Sequence, residues 1–292
     1  MKKECIFIDV FTDTPYSGNQ LAVFPHANGL NTEQMQKLAN EINYSETTFI
    51  FKSSDPEADF EIRIFTIKFE LPFAGHPVLG TAYSIMNIFD IWPEKKNILK
   101  LRTKVGIIPL EKKDGIVWLI QKKPEFLGQF MDKKEIADLV NLSPEDISDK
   151  LPIEEVSTGI NMLIIPFKNL SAIQKANGHV NNLNKFFRNR ESLAPYLFTL
   201  ETLDASAKIH TRFFAPHLGV MEDAATGAAA GPLTAYLLKY DVFGRCFEIQ
   251  NEQGIEMGRA SKILMKGERK DNKYIIKTGG ACAYVGRGEF TI

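Results

Sequence analysis

"GHPVLGTAYSIMNIF", residues 75–89, is apolar or small nearly all the way round a helical projection, with His76 its only ionisable group besides Tyr83. A surface helix keeps a polar face, so a helix without one belongs inside a fold. A second stretch has the same character: "TGAAAGPLTAYLLKY", residues 226–240. Both open on glycine with small polar neighbours, and both contain "TAY", at 81–83 and 234–236. Each follows a strand-like run that carries arginine and then phenylalanine, "RIF" at 63–65 and "RFF" at 212–214. Arg63 precedes Thr81 by 18 positions and Arg212 precedes Thr234 by 22. The pattern reads as a degenerate internal repeat, one copy per half; the competing reading is that two alanine-rich helices resemble each other by chance. With a repeat, each half is a sheet wrapped around one buried helix, and a cleft between the halves receives both helix N-termini. Such termini present unbonded N–H groups and partial positive charge, which suits a carboxylate.

The remaining sequence fits this α+β expectation. Short runs such as "CIFIDVF", "QLAVF", "TTFIF", "FEIRIF", "GIVWLI", "NMLIIPF" and "YIIKTG" are separated by Gly, Pro, Asn or Asp, as strands are. "NTEQMQKLANEI" (31–42) spaces Met35, Leu38, Ala39 and Ile42 as an amphipathic helix does. "DKKEIADLV" (132–140) and "SPEDISDKL" (143–151) read similarly, with Ser143 as N-cap before Pro144. A chain of 292 residues is comfortable for two lobes. The expected division is 1–117, with a terminal strand at 283–292 returning to it, and 118–282.

Charge and cysteine content narrow the function classes. Lys and Arg number 35 against 36 Asp and Glu. That balance argues against nucleic-acid binding, which depends on basic contacts to phosphate. Cys5, Cys246 and Cys282 are scattered, without metal-ligand spacing, so a reducing, cytoplasmic compartment is expected. No apolar run approaches the length needed to span a bilayer, so no membrane partner is expected.

Three ionisable groups sit at special places. Glu46, in "NYSETTFI" (43–50), stands at the mouth of a run that otherwise wants burial. His76 lies at the start of the first apolar helix, with Pro77 suited to the first helical position. Asp223, in "MEDAATGAAAG", stands just before the second. A half-buried Glu46 is expected to have a raised pKa and to be able to lend and recover a proton. The plainer readings are a solvated strand-edge glutamate and helix caps at His76 and Asp223.

"FIDVFTDTPYSGNQLAVF", "YSETTFI", "IRIFTIKFELPFAGHPVLGTAY", "VSTG", "EDAATGAAAG" and "NEQGIEMGRASKI" together resemble, in order, the motifs of the phenazine-biosynthesis PhzF-like isomerases, from about residue 6 to the C-terminus. The resemblance implies a diaminopimelate epimerase-like fold with two pseudo-symmetric lobes, a homodimer, and a small carboxylate substrate. It implies no metal or other cofactor, and isomerisation of the trans-2,3-dihydro-3-hydroxyanthranilate type. The catalytic residues it implies are Glu46, His76 and Asp223. The substrate-binding positions are Ser45 and Gly75 in the first half and Thr226, Gly227 and Ala228 in the second.

The sequence also departs from the family pattern. Where relatives commonly read "EDPATGSAAG", Ala224 and Ala228 stand, so a serine hydroxyl is missing beside the second helix start. Pro232 is expected to kink that helix unless it starts late. "SGNQ" (17–20) replaces "GGNP". Neither helix start carries a cysteine, which argues against two-thiol racemisation; Cys246 and Cys282 are expected to be small buried residues. Two alternatives stay open: an epimerase using Glu46 and Asp223 as opposed bases, and a non-catalytic binder of small anions.

Overall fold

The computed structural model describes residues 2–89, 92 and 96–292. The chain divides into two compact units, Met1–Ile120 with Gly279–Ile292, and Gln121–Thr278.

The first unit begins with β1 (Lys2–Val10), β2 (Asn19–Phe24), α1 (Thr32–Ile42) and β3 (Glu46–Lys52), followed by β4 (Phe60–Phe65), β5 (Glu70–Leu71) and α2 (Gly75–Asn87). β6 (Ile98–Thr103), β7 (Gly106–Lys113) and β8 (Ile116–Ile120) complete its first stretch of chain. Asn31 and Gln34 form a reciprocal capping box at the start of α1, and Asn43, in the left-handed region, closes its end. α1 is the crossover that lets β2 and β3 run parallel, with Leu21 opposite Glu46. β3 and β4 are antiparallel, β4 and β6 parallel, and β6 and β7 antiparallel.

The second unit repeats this order. It runs β9 (Glu125–Phe130), α3 (Lys133–Asp138), β10 (Ile153–Ser157), β11 (Asn161–Pro166), α4 (Leu170–Lys175), α5 (Val180–Phe187) and β12 (Ala194–Thr199). β13 (Ile209–Phe213), α6 (Gly227–Lys239), β14 (Cys246–Gln253), β15 (Ser261–Lys270) and β16 (Lys273–Gly280) follow. β17 (Cys282–Thr291) then pairs antiparallel with β1 in the first unit. β11 and β12 are parallel, β12 and β13 antiparallel, β13 and β14 parallel, and β14 and β15 antiparallel. This is the pairing sequence of β2, β3, β4, β6 and β7. The repeat inferred from "RIF" and "RFF" therefore falls on equivalent strands, β4 and β13, and "TAY" falls on equivalent helices.

α2 and α6 are 13 residues each, and both are buried along most of their length. α2 contacts β1, β2, β3, β6 and β8, and α6 contacts β10, β11 and β15. Gly80 brings α2 close to its sheet: a Cβ there would lie 2.6 Å from Leu21 Cδ2 and 2.7 Å from Val10 Cγ2. The inner face of α1 packs on Phe24, Phe49 and Phe65, with Phe24 and Phe49 stacked at 4.8 Å. A separate apolar cluster, built around Leu163, Ile165, Leu183 and Leu197, lies under α3, α4 and α5.

Several local expectations need correction. "SPEDISDKL" forms only a 3-10 turn, Pro144–Asp146, because its apolar residues cannot continue a buried stripe; Ile147 is extended and makes a β-bridge with Phe167. Pro77 is the third residue of α2, not the first, and sits where the missing N–H is still one of the helix's unbonded donors. α6 does not start late: Pro232 is interior, and the helix runs on to Lys239. Cys246 is exposed, because it faces outward at the start of β14 while Phe247 faces in; Cys5 and Cys282 are buried.

Candidate active site

The first helix start is assembled from three segments of the first unit. The turn between β1 and β2 passes through Gly18 at φ +67°, where a Cβ would stand 2.4 Å from the Val10 carbonyl oxygen. Only glycine fits there, and the turn delivers Asn19 as the first residue of β2. The parallel pairing of β2 and β3 then places Glu46, the first residue of β3, beside that end. His76 is the second residue of α2. Its Nδ1 is 3.3 Å from Asn19 Nδ2, and its Nε2 is 3.4 Å from Glu46 Oε2. The two side chains are 6% and 13% exposed. Ser45 Oγ reaches Asn19 Oδ1 at 3.5 Å.

Burial lowers His76 to about 3, against the opposing pull of a hydrogen bond to the Gln20 backbone, so the ring is neutral at physiological pH. The N-cap of α2 is Ala74, which has no side-chain oxygen to offer. His76 is thus not the cap, and the amides of Gly75 and His76 have no side-chain cap.

The second helix start belongs to the other unit and is built differently. Thr226 is the N-cap of α6, yet its side chain makes no capping bond. Its hydroxyl donates to Asp223 Oδ2 at 2.6 Å. Asp223 is therefore tied to the cap residue and is not itself the cap. Gln253, at the end of β14, holds this segment: its Nε2 donates to the Asp223 carbonyl and the Thr226 hydroxyl, both at 2.9 Å. Its Oε1 accepts from the Thr226 N–H at 3.2 Å and from the buried Tyr196 hydroxyl at 3.0 Å. Ser261 Oγ donates to the Ala224 carbonyl at 2.8 Å. Gly227 is buried and Ala228 half-buried at the first two helical positions.

Sequence reasoning singled out Glu46, His76 and Asp223; it did not single out Asn19, which lies against His76, or Gln253 and Tyr196, which hold the segment around Asp223. Asn19 and Gln253 lay inside quoted motifs; what marks them is a polar residue adjoining a required glycine, Gly18 in one case and Gly254 in the other. Among the described residues, no group of three or more His, Cys, Asp or Glu side chains is arranged to hold a metal ion. No described helix is long and apolar enough to cross a membrane.

The sequence model of the family described as phenazine biosynthesis-like protein matches residues 8–288. The chain belongs to that family. It is 33% identical to the trans-2,3-dihydro-3-hydroxyanthranilate isomerase of Pseudomonas aeruginosa, over 90% of each chain. An uncharacterised isomerase of Clostridium acetobutylicum is 31% identical, over 98% of this chain and 97% of its own. A crystal structure of a phenazine biosynthesis protein of the PhzF family from Bacillus anthracis superposes with a TM-score of 0.91, at 28% identity and full coverage of both chains. A hydroxyproline epimerase from Agrobacterium vitis shares the fold at 8% identity, with a TM-score of 0.62 over 99% of this chain and 91% of that one. The fold is thus the one expected from the sequence, and this phenazine biosynthesis-like protein is an isomerase or epimerase.

Proposed function

We propose that the protein is a cofactor-independent isomerase of a small carboxylate-bearing metabolite, with Glu46 moving a proton between two carbons. The observation that carries this reading is the Glu46–His76 pair, a carboxyl and a neutral imidazole in contact at 3.4 Å, not aligned as a hydrogen bond at rest, with little exposure. A neutral ring can donate to a carboxylate or accept from a carboxylic acid, depending on its tautomer. It can therefore accompany Glu46 through both protonation states without locking it as an ion pair. The carboxylate takes a proton from a carbon conjugated with the substrate's carboxylate. The electron pair left behind shifts the double bond, and the same carboxylic acid returns the proton to a second carbon. The step is redox-neutral and needs only one acid/base.

The reading assigns substrate holding to Ser45 and the Gly75 backbone of the first unit, and to Asp223, Thr226, Gly227 and Ala228 of the second. Support for the second set is the Gln253 network, which fixes Asp223 and Thr226 without occupying the amides of Gly227 and Ala228 with a side-chain cap. The test is solvent-to-substrate transfer in heavy water with unsaturated cyclic carboxylates, including the compound that names the Pseudomonas aeruginosa relative. A double-bond shift with deuterium at the receiving carbon is expected for the wild type and not for Glu46→Gln. Inversion at one carbon without a bond shift would replace this reading by epimerisation. A carboxylate that stabilises the protein but never exchanges would overturn catalysis altogether.

A further inference from the structure

A buried charge cluster in the second unit lies outside the groups named above. His210, on β13, is 0% exposed. Its Nδ1 is 2.7 Å from Glu252 Oε1, on the neighbouring strand β14. Its Nε2 is 3.1 Å from Glu256 Oε1, a charge contact not aligned as a hydrogen bond. The Glu252 carboxylate also accepts the backbone N–H groups of Leu203 at 2.7 Å and Asp204 at 2.8 Å. Arg212, two residues along β13, grips Glu222 with Nε and Nη2 at 2.8 Å each, and its Nε is 4.0 Å from Glu256 Oε2. Lys262, on β15, bears on Asp204. Two carboxylates therefore flank one imidazole from two different segments, with Arg212 and Glu222 closing the far side.

This cluster adjoins the segment that holds the second helix start. On β14, Glu252 is bonded to His210, and the next residue, Gln253, is bonded to Asp223 and Thr226. Gly254 then turns the chain at φ +76°, so close that a Cβ would lie 2.5 Å from the Ala224 carbonyl oxygen and 2.6 Å from that of Arg259. Glu256 is in that same turn, which closes with the Arg259 N–H on the Gly254 carbonyl at 3.0 Å. His210 thus contacts Glu252, just before Gln253, and Glu256, two residues past Gly254.

We propose that His210 is a positioning residue for the second helix start: as an imidazolium between Glu252 and Glu256 it fixes the end of β14 and the following turn, so that Gln253 holds Asp223 and Thr226, and its deprotonation loosens that hold. Burial pulls the ring down, but the hydrogen bond to Glu252 and the close negative charge of Glu252 and Glu256 outweigh it and hold His210 up at about 8. Glu256 is correspondingly lowered by His210 in spite of its own burial. The hold is therefore complete near neutral pH and is lost as pH rises through about 8. Its bearing on turnover rests on the proposed role of Asp223; the positioning does not.

The test needs no substrate, so it stands apart from the assignment of Glu46. Amide hydrogen exchange, corrected for intrinsic base catalysis, is followed from pH 6.5 to 9.5 together with the ring signals of His210. In the wild type, protection at 223–230 and 252–259 should fall about tenfold as His210 titrates, while α2 in the first unit keeps its protection. His210→Gln should show the low protection at every pH. Glu256→Gln, which keeps the Glu252 contact, should move the midpoint down by about one pH unit. Protection at 223–230 that ignores the titration of His210 would overturn the proposal. So would a loss spread equally over both units, which would mark a merely structural residue.

Discussion

The two units use the same arginine clamp ahead of their central helices, and surround it differently. In the first, Arg63 Nε and Nη2 meet the two oxygens of Glu70 at 2.8 and 2.6 Å, with Lys104 also on Glu70 at 2.7 Å. In the second, Arg212 meets Glu222 in the same bidentate way. Each guanidinium also lies over the phenylalanine two residues on, Phe65 at 5.1 Å and Phe214 at 4.8 Å. Arg63 keeps 23% of its side chain exposed, whereas Arg212 keeps 6% and donates to the carbonyls of Ile173, Gln174 and Ala176. The helix starts diverge in the same direction. The first pairs a carboxyl with a neutral imidazole; the second has Ala228 at the position of His76 and a hydrogen-bonded network around Asp223. On the proposed function, one repeat moves the proton and the other holds the substrate.

The largest effect should come from breaking that division of labour. Glu46→Gln keeps size and hydrogen bonding but cannot accept and return a proton. Turnover should fall by at least ~10²–10⁴-fold with ligand affinity and stability nearly unchanged. Asp223→Asn should weaken binding along with rate, because the amide disturbs the bond from the Thr226 hydroxyl. Steady-state kinetics beside ligand titrations on both variants separate the two roles. Comparable losses of affinity in both would erase the distinction.

The clamps should separate next, in stability. Arg212→Met strands the Glu222 carboxylate and takes a donor from the buried carbonyls of Ile173 and Ala176 and the part-buried one of Gln174, which should cost about 3–5 kcal/mol. Arg63→Met leaves Glu70 with Lys104 and near solvent, and should cost about 1–2 kcal/mol. Urea unfolding of the two variants measures the gap. Equal costs would show that the deeper burial of Arg212 adds nothing.

Much of this comparison was legible in the sequence. The buried helices announced themselves by lacking a polar face, and "RIF" and "RFF" marked equivalent strands. Glu46 stood out as a charge in an apolar run. The Gln253 network did not, because a glutamine that spends its amide on backbone groups leaves no periodic or compositional trace. Nor did the strand β14 that carries it: "CFEIQNEQ" puts polar residues at buried positions, and their burial is made tolerable only by partners on β12, β13 and the 203–204 loop. Cys246 was misplaced for the converse reason, since a small apolar residue at a strand's first position can face either way.

The smallest effect per step is also the one with opposite signs in the two units. His76 is held neutral, with its pKa far below that of an unfolded histidine, so the unfolded chain binds a proton that the folded chain refuses. Its contribution to stability is present above about pH 6.5 and is lost as pH falls toward 3, by up to about 1.4 kcal/mol per pH unit. His210 is raised to about 8, so the folded chain keeps a proton that the unfolded chain releases. Its contribution is complete below about pH 6.5 and is lost as pH rises through 8, about 2 kcal/mol in all. Urea midpoints of the wild type, His76→Asn and His210→Gln across pH 4.5–9.5 test both signs at once. Relative to the wild type, His76→Asn should recover stability only on the acid side, because it has no ring to protonate on unfolding. His210→Gln should be destabilised near neutrality and converge on the wild type above pH 8. An acid-side convergence for His210→Gln would mean that its ring is neutral in the fold, and the charged clasp on Glu252 and Glu256 would fall with it.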